Sequence, residues 1–212
     1  MNESFFLVLG SAFAIGAVHT FSGPDHYLPF IALARSRGWN RTQTMGITLV
    51  CGLAHILSAL GIGLVAAYAS SVLERLGVIE SIRGDVAAWA LVAFGGVYAI
   101  WGLKHSSQDH SHKKQGLAFW TLFLIFLFGP CEPLIPLVLY PAAQSSPFHI
   151  LMTVIAFSLS TLVVMLFMVS FSHILLEQLG KKPWFQFLHR YSHVLAGTII
   201  AFCGMGILFL GL

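Results

Sequence analysis

The chain has 212 residues, of which 57% are hydrophobic and only 9% are charged, and its formal net charge is +3 at pH 7. Because a soluble domain carries about 25% charged residues, this composition and a mean hydropathy of +0.84 indicate an integral membrane protein and exclude a soluble enzyme. The basic residues form no continuous stripe, which argues against a nucleic-acid partner and leaves the lipid bilayer as the expected surroundings.

Six apolar segments are long enough to cross a bilayer, since a spanning helix needs about 20 apolar residues. They are predicted over residues 4–21, 44–69, 86–103, 117–140, 148–174 and 194–212. The first segment breaks at Ser22-Gly23-Pro24 and can continue to Ala34, and the fourth breaks at Gly129-Pro130. Because proline interrupts the helical hydrogen-bond ladder, segments one and four are expected to be broken helices.

Nine of the eleven basic residues follow the first, third and fifth segments. The nine are Arg35, Arg37, Arg41, Lys104, Lys113, Lys114, Lys181, Lys182 and Arg190. The second loop, residues 70–85, has mixed charge, and the fourth, residues 142–147, has none. The positive-inside rule therefore predicts a multi-pass protein of the plasma (inner) membrane, with the basic loops in the cytoplasm and both termini outside.

Two related motifs mark the breaks. Gly23-Pro24-Asp25-His26-Tyr27-Leu28 and Gly129-Pro130-Cys131-Glu132-Pro133-Leu134 start 106 positions apart, half of the chain length. Segments one to three and four to six begin on opposite sides, which predicts inverted repeats. The expected fold is an all-α membrane protein of six helices, with three-helix repeats over residues 1–103 and 117–212 and a His-rich loop over 104–116. The shared residues are few, and chance resemblance between two apolar segments is the alternative.

Ionisable side chains within the spans carry the functional prediction, because such groups are costly in a bilayer and usually face an interior pathway. The predicted binding residues are His19, Asp25, His26, His55, Cys131 and Glu132, grouped around the breaks at Gly23, Pro24, Gly129 and Pro130. Non-helical backbone at membrane depth occurs only where protein or a water-filled cavity surrounds it. These residue types are ligands for transition metals. For any one histidine, an interhelical hydrogen bond is the plainer explanation.

The charge of the substrate stays open at this point. Carboxylates and unwound carbonyls favour a cation, whereas amides exposed after Pro24 and Pro130 favour an anion. Two carboxylates and three imidazoles favour the cation, although one carboxylate could serve for proton coupling.

Weaker candidates lie elsewhere in the chain. Thr161 corresponds to His55 by the 106-residue offset, His173 lies late in the fifth segment, and His193 begins the sixth. The third loop carries His105, His110 and His112 in a short tract of metal-binding composition. A solvated polar loop is the alternative for that tract, as an interfacial anchor is for His193.

The motif His19-Thr20-Phe21-Ser22-Gly23-Pro24-Asp25-His26, with Gly129-Pro130-Cys131 and the His-rich loop, resembles a known group. It is similar to the NicO nickel/cobalt transporters and the UreH-like membrane proteins. The resemblance implies that His19, Asp25 and His26 handle nickel or cobalt as cargo, with no resident cofactor. The chain departs from that pattern in the five residues between His19 and Asp25 and in Glu132 after Cys131. Its layout is also similar to sulfite-exporter-like permeases and to the membrane electron carriers of cytochrome c biogenesis.

The leading hypothesis is a secondary transporter, not an enzyme, that moves a divalent metal by alternating access; the chain has no Gly-x4-Gly-Lys-Ser/Thr phosphate loop. The first alternative is a permease for a small sulfur-containing anion such as sulfite. The second is a thiol–disulfide electron carrier, which needs two exchanging cysteines. The third is a metal-handling accessory protein without transport. Direction of flux, coupling ion and homo-oligomerisation stay open.

Overall fold

The computed structural model describes residues 3–68, 73–104, 115–129, 133–134, 136–138, 147–180 and 191–210, and over these residues it is helical with no strand. The principal helices are α1 (Glu3–Ser22), a one-turn 3-10 helix (Pro24–His26), α2 (Leu28–Arg37), α3 (Arg41–Tyr68), α4 (Leu73–Lys104), α5 (Gln115–Phe128), α6 (Pro147–Leu179) and α7 (Ser192–Leu210). Five of them, α1, α3, α4, α6 and α7, contain stretches long and apolar enough to cross a membrane. The prediction of an all-helical membrane protein is therefore confirmed.

Lipid-facing surface is abundant on these five helices. Only 22–44% of the residues in each span are buried inside the protein, and the outward faces carry large apolar side chains such as Leu7, Val97 and Phe209. A bundle with this outer surface suits a bilayer rather than water, which makes the chain a multi-pass membrane protein.

Both predicted breaks occur where proline and glycine place them. α1 ends at Ser22, Gly23 is extended, and the chain resumes in the 3-10 helix before α2. α5 ends at Phe128, directly before Gly129, and Pro130 lies outside the described residues. α5 has only 14 residues. By itself it is therefore too short to span a bilayer.

One predicted boundary is wrong. The loop expected over residues 70–85 is helical from Leu73, because α4 runs without interruption to Lys104. Charged side chains lower hydropathy without opposing the helical backbone, and the segment contains no proline. Arg83 thereby becomes part of a candidate membrane span, Ser81–Lys104.

Glycines allow the closest helix packing. α4 and α7 run antiparallel, since Gly102 faces His193 at one end and Gly204 faces Ala88 at the other. At their crossing, a Cβ on Gly95 would collide with the backbone of α7. Small residues of this kind let membrane helices approach closely.

The remaining contacts place α3 and α6 at the centre of the other half of the bundle. α1 runs parallel to α6, with the Phe5 ring 6.4 Å from that of Phe148 and Gly16 against Phe157. α3 crosses α6 in the opposite direction, with Gly52 near Met165. Buried Phe30, Leu122 and Ile200 belong to the main apolar core.

Candidate site at the first helix break

The break after α1 folds His26 back over His19. The Gly23 amide donates to the His19 carbonyl at 2.8 Å, and the following three residues form the 3-10 helix. The two imidazole rings then meet edge to face, with 4.8 Å between centroids. Gly23 is required here by space, since a Cβ would lie 2.9 Å from both Asp25 Oδ1 and His26 Nδ1. The predicted grouping of His19, Asp25 and His26 is therefore present.

His55 joins this group from α3. Its ring centroid is 5.8 Å from that of His26, and its Nδ1 lies 3.1 Å from the carbonyl oxygen of Phe126 on α5. A Cβ on Gly129 would lie 3.5 Å from the same nitrogen. The side chain thus connects the first break with the second, a link that its position in an otherwise apolar helix did not predict.

That hydrogen bond determines the tautomer of neutral His55, that is, which ring nitrogen carries the proton. A carbonyl can only accept, so Nδ1 carries the proton and donates it to Phe126. In the neutral ring Nε2 then carries a lone pair, the form that binds a metal. His55 Nε2 is buried and has no hydrogen-bond partner among the described residues.

Other polar atoms of the cluster are also buried without a hydrogen bond inside the described part of the chain. They are His19 Nε2, Asp25 Oδ1 and His26 Nδ1. The last two lie 3.2 Å apart and face each other as an ion pair when the imidazole is protonated. Because native proteins satisfy nearly all buried polar groups, the two nitrogens outside this pair, His19 Nε2 and His55 Nε2, indicate a site for an ion or a polar ligand beside it.

A cavity of about 30 Å³ opens beside the cluster. It is lined by Asp25, His26 and His55, by α4, α5 and α7 through residues such as Ala87 and Ile125, and by Gly129 after the end of α5. This volume holds a water molecule or a monatomic ion. Within the described ranges, no three His, Cys, Asp or Glu side chains are arranged closely enough to hold a metal by themselves. Cys131 and Glu132, predicted to contribute from the other half, lie outside those ranges.

Arg83 is a site-proximal residue that the sequence interpretation missed. Its guanidinium donates to Ser58 Oγ on α3, to the Leu127 carbonyl at 3.2 Å and to the Gly129 carbonyl at 3.3 Å. It therefore binds the carbonyl end of α5 at the second break.

Of the weaker candidates, His173 and His193 lie away from this cluster, whereas Thr161 lies one helical turn from a residue that stacks on His19. Thr161 is buried on α6, four residues after Phe157, whose ring centroid is 6.3 Å from that of His19. His173 lies beyond the far end of α2, with Nε2 3.4 Å from the Trp39 carbonyl. His193 Nδ1 is 2.9 Å from the Tyr98 hydroxyl at the start of α7. His105, His110 and His112 lie outside the described residues.

The thiols show no paired arrangement among the described residues. Cys51 and Cys203 are both buried and free, and Cys131 is outside that part of the chain.

Comparison with known proteins gives no match to a family model, to a curated protein or to a solved structure. The cluster and the motif are therefore the features that bear on function.

Proposed function

We propose that the protein is a secondary transporter that carries a divalent transition-metal ion, with nickel or cobalt first, through the cluster of His19, Asp25, His26 and His55. The observation that carries the proposal is His55, whose Nδ1–H is committed to Phe126 while its buried Nε2 has no described partner. A neutral imidazole fixed in this tautomer is a metal ligand. The resemblance of the motif around His19 and Asp25-His26 to NicO proteins points to the same cargo.

The described ligands would bind the ion only in part, which suits a transported substrate. Cys131 and Glu132 come directly after Gly129-Pro130, and Gly129 lines the cavity with His26 and His55. We infer that these two side chains complete the coordination from the second break. Loose or changing coordination allows release, as a transport site must.

The inverted six-helix layout is part of this proposal and is supported by how the helices pair. A 106-residue offset exchanges α1 with α5 and α3 with α6, so the parallel pair α1–α6 corresponds to α3–α5. Gly16 against Phe157 on the first pair then corresponds to Cys51 and Leu122 on the second, both fully buried in one core cluster. Alternating access would rock one repeat against the other around the breaks.

The proposed orientation puts the basic end in the cytoplasm. Arg37 donates to the Tyr98 hydroxyl at 3.1 Å, and Tyr98 contacts His193, so the ends of α2, α4 and α7 that carry basic residues lie together. The positive-inside rule then places both termini outside the plasma membrane.

Flux in proteoliposomes tests the proposal directly. Wild-type protein should carry nickel or cobalt saturably, and His26→Ala and His55→Ala should abolish the flux. His149→Ala is the matched control, because this histidine packs on Phe5 at the far end of α1. Folded protein that carries neither nickel, cobalt nor zinc would refute the proposal, and saturable binding without flux would indicate an accessory protein instead.

A small-anion permease, with sulfite as the example, is the second candidate, and Arg83 is the observation that favours it. A guanidinium at the second break could hold an anion that displaces its carbonyl partners. Sulfite flux in the same vesicles, lost in Arg83→Gln but retained in His55→Ala, would select this candidate.

A further inference from the structure

A second, larger cavity lies at the basic end of the molecule, between the end of α2, the start of α3 and the last turns of α6. Its volume is about 280 Å³, close to the lower limit for small-molecule sites. In the part of the chain that the structure describes, its charged lining groups are Arg35, Arg41, His173 and Glu177. It is separated from the histidine cluster by α2, whose ten residues span about 15 Å.

The positive groups come from two different elements. Arg35 lies in the last turn of α2, and Arg41 is the first residue of α3, where it donates to Ser170 Oγ of α6 at 2.9 Å. The α3 N-terminus also faces the cavity through Asn40, Arg41 and Thr44, and its backbone dipole adds positive potential. Two guanidinium groups beside a helix N-terminus favour an oxyanion.

Among the described residues that line the cavity, the one acidic residue is at the rim. The Glu177 side chain is 64% exposed, and its Oε1 lies 3.3 Å from His173 Nδ1. Water screens an exposed carboxylate strongly, and a protonated His173 would compensate it further. Glu177 therefore weakens the positive potential at the rim without removing it.

We propose that this cavity binds a phosphate group between Arg35 and Arg41. The arginine fork matches phosphate geometry and can donate two parallel hydrogen bonds. Two sources supply this chemistry: the headgroup of an anionic lipid and a soluble phosphate compound. Ile174 and Leu175 are exposed apolar residues in the same turn of α6 as the lining residues His173 and Leu176, so we expect acyl chains at this level of the helix. The site does not depend on which substrate the histidine cluster carries.

The test measures binding to delipidated wild-type protein in an uncharged detergent. The probes are phosphatidylglycerol, phosphatidylcholine and inorganic phosphate, and the readouts are bound lipid per protein by native mass spectrometry and phosphate affinity by calorimetry. We expect phosphatidylglycerol to bind at one site and phosphatidylcholine to bind more weakly. Binding of inorganic phosphate without phosphatidylglycerol would identify a soluble source instead. The proposal would be overturned if neither phosphatidylglycerol nor inorganic phosphate binds. Equal binding of phosphatidylglycerol and phosphatidylcholine would overturn it too.

Variants assign the site. Arg35→Gln and Arg41→Gln should each weaken binding about tenfold, the effect of losing one charged hydrogen bond. Arg41→Lys should restore part of it. Glu177→Gln should tighten binding, because it removes the competing carboxylate. Lys104→Gln is the matched control, since Lys104 is exposed at the same end on α4. Weaker binding in Glu177→Gln would overturn the proposal.

A measurement on wild-type protein covers the case in which the arginine variants do not fold. Phosphate binding held by charge should weaken as ionic strength rises. Binding that is indifferent to salt would contradict the proposal without the need for any variant.

Discussion

Arg83 on α4 donates a hydrogen bond to the carbonyl oxygen of Gly129, 3.3 Å away at the end of α5. The same guanidinium reaches Leu127 and Ser58, so one cation joins three helices at the second break. The last carbonyls of a helix have no intrahelical partner, and they carry partial negative charge. Arg83 therefore satisfies groups that would otherwise be exposed at membrane depth.

Removing this cation should destabilise the bundle. We expect Arg83→Gln to lower the free energy of unfolding by about 1–3 kcal/mol, because the carbonyls of Leu127 and Gly129 lose a charged donor. Arg83→Lys should recover part of the loss, since the ammonium keeps the charge but does not extend as far as Nη2, the one nitrogen that makes all three contacts. Thermal unfolding in detergent, followed by tryptophan fluorescence, measures both. Lys104→Gln serves as the control, and an Arg83→Gln midpoint equal to that of wild type would contradict the prediction.

Substitutions of His55 can distinguish the roles of its two ring nitrogens, Nδ1 as the donor to Phe126 and Nε2 as the proposed metal ligand. Asparagine places an amide N–H near the position of Nδ1 and can still donate to Phe126, but it has no group at the position of Nε2. We expect His55→Asn to keep the thermal midpoint within a few degrees of wild type and to lose metal binding. His55→Leu should lower the thermal midpoint, because the Phe126 carbonyl is left without this donor. It should also lose metal binding, because leucine has no ligand atom.

Nickel binding by calorimetry, beside thermal unfolding, reads out the two effects independently. His149→Asn, away from the cluster, should bind nickel as wild type does. If His55→Asn binds nickel with unchanged affinity, Nε2 is not a ligand.

The Tyr98 hydroxyl should contribute to stability at the basic end. It lies 3.0 Å from Ser36 Oγ, 3.1 Å from Arg37 Nε and 2.9 Å from His193 Nδ1. Tyr98→Phe leaves three polar partners without this oxygen, so we expect a loss of about 1–3 kcal/mol. Tyr27→Phe is the matched control, because its hydroxyl makes a longer bond of 3.3 Å to Phe21 at an exposed position. Equal unfolding midpoints for the two variants would contradict this role.

The parts of the structure that the sequence predicted are those governed by local chemistry. Gly23-Pro24 breaks the helix because proline lacks an amide hydrogen, and the break alone brings His26 onto His19. The burial of His55 followed from its place in an apolar helix. Its partner did not, since Phe126 is 71 residues away. Likewise, Arg83 was assigned to a loop because its acceptors are 25 to 46 residues distant, and hydropathy averages only neighbours.

Two adjacent glycines on α4 give the sharpest test of the packing. A Cβ on Gly95 would meet the backbone of Ala201 and Gly197 on α7, whereas a Cβ on Gly96 has nothing within 4 Å. Alanine is the better helix former by about 1 kcal/mol, so Gly96→Ala should raise the free energy of unfolding slightly. Gly95→Ala should lower it by about 1–3 kcal/mol, because the two helices must separate. Unfolding midpoints that move in the same direction would show that α4 and α7 do not cross at Gly95.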